Sequence, residues 1–230
     1  MSLWGDNAPH MGVFYAFFIT TKIDSTKRIG AHNFDVLCVI FGTLLGDGFA
    51  ETRKGSTRIC IQQQNSNVEY LNWLHRFFAS RGYCNLKTPN KLTRIDKGRI
   101  RYYFKFKTWS FQSFNWIQEA FYVNKVKAVP SMALLHTYLS PLALAVWVMD
   151  DGTRNGYGLN LATNCFTVAD HARLQQVLYD KYGLKTTLHK CGACDQFVLY
   201  IWAESMPTLC KLIQPYLSEA MMLHKLGRYV

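Results

Sequence analysis

Two aspartates, Asp47 and Asp151, each end an apolar run and each precede a glycine. The runs are VIFGTLLG over residues 39–46 and ALAVWVMD over residues 143–150. A carboxylate at the C-terminal end of a helix lies on the unfavourable side of the helix dipole, where a cation would be preferred. If two such helices pack side by side, their ends converge and two like charges meet, a costly arrangement unless a divalent cation sits between them. Mg²⁺ suits that place, because it takes oxygen ligands, commonly one or two carboxylates, with phosphate and water completing the octahedron. Gly42 and Gly46 in the first run and Ala143 and Ala145 in the second leave room for close approach. Asp-Gly is also a common helix-ending turn; its recurrence at equivalent places is what favours a shared role.

The elements that would carry these acids repeat as well. Downstream of each Asp-Gly comes a capping-box pattern, Ser66 to Glu69 and Thr167 to Asp170, which predicts a helix start. Apolar residues follow at helical spacing, Leu71, Leu74, Phe77 and Phe78 against Leu174, Val177 and Leu178, with stops at Gly82 and Gly183. Alternation over residues 99–107 predicts a strand with Ile100, Tyr102, Phe104 and Phe106 inward and Arg99, Arg101, Tyr103, Lys105 and Lys107 outward. Residues 196–201 are its counterpart, with Phe197, Leu199 and Ile201 inward, and Ser205 is placed to cap the last helix. The predicted fold is α+β: two pseudo-twofold-related αββαββα units, each an antiparallel sheet packed under helices, whose polar faces join into a basic DNA-binding saddle. Residues 1–32 read as a leader, 33–123 as the first repeat, 124–141 as a linker and 142–230 as the second repeat.

The charge supports a polyanionic partner. The 230 residues hold 26 Lys and Arg against 15 Asp and Glu, a formal net charge of +11. Of these, 18 basic and 8 acidic residues precede position 150, so the surplus is concentrated in the first unit. Arg58, Gln62 and Gln64 alternate along the second strand of that unit, opposite inward Ile59 and Ile61, and arginine and glutamine pair well with guanine and adenine edges in the major groove. With Arg99, Arg101, Tyr103, Lys105 and Lys107 they make one reading surface; Asn160, Asn164, Lys185, Thr187, His189, Gln196 and Tyr200 make its weaker counterpart. Arg53, Lys54, Lys91, Arg94 and Arg154 are read as loop residues for backbone phosphates, which add affinity without sequence choice. Duplex DNA has pseudo-twofold backbone symmetry, which a protein of matching symmetry can meet on both strands.

The segments IFGTLLGDG (40–48) and LAVWVMDDG (144–152) resemble the two signature helices of LAGLIDADG homing endonucleases in their single-chain, two-motif form. The resemblance runs over roughly residues 34–226 and takes in Lys127 to Pro130, Pro215 to Leu217 and residues 221–226. The first acid of the signature is replaced by Leu45 and Met149. The resemblance implies that Asp47 and Asp151 are metal-binding catalytic acids, one per DNA strand, with main-chain carbonyls of Gly46 and Asp150 completing the ligand set. It further implies hydrolysis of double-stranded DNA with Mg²⁺, with Mn²⁺ as a substitute and Ca²⁺ supporting binding without cleavage, leaving 3′ overhangs. By position after each unit's last helix, Lys127 and Lys225 are the basic residues expected to position water and neutralise charge; solvated surface lysines are the alternative. A monomer encoded in an organelle is the family's habit. Intron RNA remains an alternative partner, as does a regulator that binds DNA without cutting it.

Other chemistries find little support. The seven cysteines form no paired framework, and Cys191 and Cys194 with His189 fall short of the four ligands of a structural zinc site. Nucleophilic triad, P-loop and dinucleotide patterns are lacking. The longest apolar stretches, residues 11–19 and 142–149, are about half the ~20 residues of a membrane-spanning helix, so no membrane partner is expected.

Overall fold

The computed structural model describes residues 24, 27, 28, 31–192, 195–217, 225, 226 and 229. The leader reading of residues 1–32 therefore falls largely outside the described residues. From it, Arg28 donates to the Ser110 carbonyl at 3.1 Å and the His32 ring bonds the Tyr83 and Ser113 hydroxyls.

The chain builds one topology twice. First come α1 (Phe34–Leu45), β1 (Phe49–Arg53), β2 (Ser56–Gln64), α2 (Val68–Ser80), β3 (Lys91–Asp96), β4 (Arg99–Lys107) and α3 (Asn115–Phe121). A short hairpin, β5 (Tyr122–Val123) with β6 (Val126–Lys127), and α4 (Met132–Tyr138) follow, so the stretch read as a linker is itself structured. Then come α5 (Pro141–Asp151), β7 (Gly152–Asn155), β8 (Gly158–Leu161), α6 (Val168–Tyr182), β9 (Thr186–Lys190), β10 (Phe197–Ile201) and α7 (Met206–Ile213). Both four-stranded sheets are antiparallel, ordered β1-β2-β4-β3 and β7-β8-β10-β9. This is the mixed helix and antiparallel-sheet architecture that the alternating patterns predict. No single helix among the described residues is long and apolar enough to cross a membrane.

Helix starts differ between the repeats for a chemical reason. Thr167 and Asp170 form the reciprocal capping box: Thr167 Oγ1 accepts from Asp170 N at 3.1 Å and Asp170 Oδ2 accepts from Thr167 N at 3.0 Å. Ser66 and Glu69 do not, because residues 65–67 wind into a 3-10 turn and Asn67 becomes the cap position, without a side-chain bond. Ser205 makes no cap either; its buried hydroxyl accepts from Lys185 N at 2.9 Å and tethers the start of β9.

The alternation of β4 also needs correction. Phe106 is buried and Phe104 partly so, but Ile100 is 62% and Tyr102 44% exposed. β3 and β4 run past the end of β2, where Gln64 pairs with Tyr103, so no helix among the described residues covers Ile95, Ile100 and Tyr102 on that face. The hairpin tip turns on Lys97 and Gly98, both at positive φ (48° and 75°), as two-residue hairpin loops require.

Both helices of the central pair are buried along nearly their whole length, which explains their lack of an amphipathic pattern. A Cβ on Gly42 would collide with the Ala143 carbonyl and lie 3.0 Å from the Val146 Cβ. Backbone cannot yield there. Gly42→Leu is therefore expected to cost at least about 3 kcal/mol, read as a lowered midpoint in urea unfolding; an unchanged midpoint would refute close packing at this crossing.

Candidate active site

The packing of α1 on α5 brings their C-terminal ends together. Asp47 follows Gly46, the C-terminal cap of α1, and Asp151 is the last residue of α5. Each end has a lysine bound to main-chain oxygen. Lys127, at the end of β6, donates to the carbonyls of Gly46 at 2.6 Å and Gly48 at 3.3 Å, while Lys225 donates to the Gly152 carbonyl at 2.7 Å. The two acids and two lysines singled out from the sequence thus share one neighbourhood, with two ammonium groups seated on carbonyls beside the helix ends.

Burial dominates the electrostatics. It pushes the Asp47 carboxyl up, against the Gln63 amide and the charges of Lys225 and Lys127. Burial and then the charge of Asp47 push Asp151 to about 7, with the lysines and the Trp147 indole opposing. Asp150, buried between the helices, is driven well above the usual carboxylate range by burial and by both neighbouring acids. Burial lowers both lysines, and the acids partly restore them. Carboxylates crowded in this way attract a cation more strongly than any one alone.

The donor set tests whether Mg²⁺ fits. Among the described residues no group of three or more His, Cys, Asp or Glu could enclose a metal. What is present is an open set of carboxylates and helix-end carbonyls, and the Gly46 carbonyl already accepts a cationic group. Such a set suits an ion that completes its shell with phosphate and water. Asp47 and Asp151 are the side chains that would hold it, with carbonyls of Gly46 and Asp150 beside them.

Side chains absent from the sequence reading complete the site. Gln63 is 4% exposed and donates from Nε2 to Asp47 Oδ2 at 2.8 Å and to Asp150 Oδ1 at 3.0 Å. Asn67 holds its oxygen at 3.1 Å, and Thr43 donates to Asp150 Oδ2 at 3.0 Å. A signal existed: Gln63 occupies the inward phase set by Ile59 and Ile61, where an amide needs buried partners.

The strand registers place the remaining predicted residues. On the polar face of the first sheet, Gln62 pairs with Lys105, Gln64 with Tyr103, and Arg94 with Arg101, with Arg99 opposite Asp96. Arg53 and Lys54 lie at the exposed β1-β2 turn. Arg58 Nε and Nη2 both reach Glu51 Oε2, which also takes Lys107 at 3.3 Å, and these cations hold Glu51 at about 2. Arg94 lies on β3, not in a loop. Lys91 also lies on β3 but on the opposite face, its Nζ 4.2 Å from the Tyr102 ring centre. Arg154 lies on β7 opposite Leu159, on the core-side row of an exposed edge.

The second polar face is nearly neutral. Asn160, Tyr200 and Thr187 form one cross-strand row, and His189 stacks on Tyr200 at 4.6 Å. Lys185 is paired with Glu204 at 2.8 Å, and Asn164 and Gln196 lie just beyond β8 and before β10. Cys191 is described and Cys194 lies outside the described residues.

The raised Asp151 sets a pH test. Its carboxyl titrates near 7 in the folded chain against an ordinary value of 3.8, so the folded state binds this proton more tightly and stability falls as pH rises between those values. Without metal, Asp151→Asn is expected to melt roughly 5 °C above wild type near pH ~8, with the gap narrowing toward pH ~5. A gap independent of pH in thermal unfolding would remove this charge as its source.

Comparison with known proteins agrees with this geometry. A model of the LAGLIDADG DNA endonuclease family matches residues 37–209. The chain is 44% identical over 222 residues to cytochrome b mRNA maturase bI2 of Saccharomyces cerevisiae, covering 92% of this chain and 52% of that protein, so it spans about half of that relative's length. It is 37% identical over 158 residues to intron-encoded endonuclease ai4 of Dictyostelium discoideum, covering 67% of this chain and 98% of that one. The homing endonuclease I-WcaI, solved bound to its DNA recognition sequence, has the same fold, with a TM-score of 0.76 over 88% of this chain and 90% of that one at 21% identity. Because the family match takes in both acid-tipped helices and the sheets between and after them, the chain belongs to the LAGLIDADG DNA endonuclease family.

Proposed function

We propose that the protein is a sequence-specific endonuclease that makes a double-strand break in a long DNA target by metal-dependent hydrolysis. The observation that carries this reading is the convergence of Asp47 and Asp151 at the ends of two packed helices, each end with a lysine on an adjoining carbonyl. Two acids in one chain suit two phosphodiesters, one per strand, and a monomer suffices.

In this reading Asp47 and Asp151, with the carbonyls of Gly46 and Asp150, hold the cation. Bound Mg²⁺ would supply Lewis-acid polarisation of the phosphate and stabilise the leaving 3′ oxygen. Gln63 keeps Asp47 in place through its amide. Lys127 and Lys225 bring positive charge to where the phosphorane charge develops, and burial, which lowers both, favours proton exchange with water. The products would carry 5′-phosphate and 3′-hydroxyl ends on 3′ overhangs. The two polar faces read the site: Arg53, Lys54, Arg58, Gln62, Gln64, Arg94, Arg99, Arg101, Tyr103, Lys105 and Lys107 from the first, and Asn160, Asn164, Lys185, Thr187, His189, Gln196 and Tyr200 from the second. Lys91 and Arg154, on the other faces, reach only outlying phosphates.

A second reading is intron RNA maturation. The 44% identical relative is named a cytochrome b mRNA maturase, and a basic surface does not by itself separate duplex DNA from structured RNA. The same name supports a mitochondrial setting.

Two measurements test the reading. Purified protein with Mg²⁺ is expected to cut a randomised duplex library at enriched sites with a fixed 3′ overhang, whereas Asp47→Asn cuts nothing yet binds the same sites in Ca²⁺. Binding without cutting by both proteins would favour maturation, with intron RNA as the next substrate. Arg101→Ala is expected to weaken DNA binding and to flatten the slope of log affinity against log salt by about 0.9, one phosphate's worth. An unchanged slope in fluorescence anisotropy would remove Arg101 from the phosphate contacts.

A further inference from the structure

The two repeats differ where they touch. Aligning residues 40–48 with 144–152 sets Gly46 opposite Asp150 in the repeat. The two meet across the seam: a Cβ on Gly46 would overlap that of Asp150 and lie 2.8 Å from its Oδ2. The second repeat thus inserts a carboxylate, 8% exposed, into space that the first repeat leaves empty.

That carboxylate is held on both sides. Thr43 of α1 donates to Oδ2 and Gln63 of β2 donates to Oδ1, each at 3.0 Å. Gln63 gives Asp47 Oδ2 its other bond, at 2.8 Å, and its oxygen is fixed by Asn67. Both amide hydrogens of Gln63 are therefore committed to acids, and turning the amide over would break three hydrogen bonds at once.

Among the described residues the other half-site shows no such device. Gln63 lies four residues before the helix cap Asn67, and Thr163 four before Thr167. Thr163 is fully buried, bonded to the His171 ring at 2.9 Å and to Leu199 N at 3.0 Å, so it faces the core and not Asp151.

We propose that Asp150 is a positioning residue for Asp47: its carboxylate holds the Gln63 amide against Asp47, so cleavage at Asp47 depends on a side chain delivered by the second repeat, and cleavage at Asp151 does not. The inference rests on the endonuclease reading above.

The test is strand-resolved cleavage of a target duplex labelled at both 5′ ends, with the Asp47 strand assigned from a Ca²⁺-bound DNA complex. Asp150→Ala is expected to slow the Asp47 strand by about 10- to 100-fold and the Asp151 strand by less than about threefold, so that nicked DNA accumulates. Asp150→Asn is expected to restore the Asp47 strand, since its Oδ1 can still accept from Gln63 while its Nδ2 donates to Thr43. Gln63→Met, which keeps the volume and loses the amide, is expected to reproduce the strand bias even where Asp150→Ala folds poorly. Equal slowing of both strands, or an unaffected Asp47 strand, would overturn the proposal. If wild type cuts neither strand, the endonuclease reading fails on its own. The positioning role is then read by Mn²⁺ titration of the Asp151→Asn background followed by electron paramagnetic resonance: about tenfold weaker Mn²⁺ binding after Asp150→Ala upholds it, and unchanged binding overturns it.

Discussion

The close packing of α1 against α5 is the constraint on which the rest depends. Two buried helices, brought together through Gly42 and Gly46, fix where their last residues lie, and those residues are acids. Their carbonyl ends and carboxylates add to a negative site with a low-dielectric core behind it. Such a site is unfavourable alone, since burial raises each acid, and the charge of Asp47 raises Asp150 and Asp151 further. The fold tolerates it because the rest of the seam is apolar and tightly filled, and because two lysines reach the adjoining carbonyls from β6 and from the C-terminal segment. The stress that the packing imposes is one that a bound cation would relieve.

The sheets depend on the same pair. Each hangs from the C-terminal end of a central helix, β1 two residues after Asp47 and β7 directly after Asp151, so the polar faces are placed relative to the acids by a very short connection. Charge is not shared evenly between the faces. The first carries like-charged rows such as Arg94 with Arg101, which Asp96 at 3.5 Å from Arg101 Nε offsets only in part, whereas the second is built from Asn160, Thr187, Tyr200 and a lysine neutralised by Glu204. In a nucleic-acid complex the first face would dominate the salt-dependent affinity and the second would act through shape, stacking and hydrogen bonds.

Most of the framework was legible because duplication gives the same signal twice. The acids stood out by recurrence, and the strands by alternation. Errors arose where a local pattern was overridden by what covers it. Ile100 and Tyr102 alternate like core residues, yet β3 and β4 extend beyond the helices, and the length of a hairpin overhang leaves no trace in periodicity. Ser66 and Glu69 have capping-box spacing, but a preceding 3-10 turn shifts the cap to Asn67. Lys91, expected in a loop, lies on β3, and its strand phase places it on the face away from Arg94 and Arg101. Gln63 shares its residue type with Gln62 and Gln64 and differs from them only in strand phase. Its inward phase implied a buried partner, but only the tertiary structure could identify that partner as an acid from the other repeat.

The seam also explains why the two repeats work as a pair and not as two copies of either. Where α1 and α5 cross near the acids, Gly46 and Asp150 occupy equivalent repeat positions and fill one volume between them. Two copies of the first repeat would place glycine against glycine and leave a void lined by Thr43 and Gln63, with their polar groups short of partners. Two copies of the second would place two buried carboxylates where one fits, adding like-charge repulsion to overlap. Only the mixed pairing satisfies volume and hydrogen bonding together. Joining the repeats in one chain guarantees that pairing, and having two different halves leaves each polar face free to differ in charge and side chains from the other.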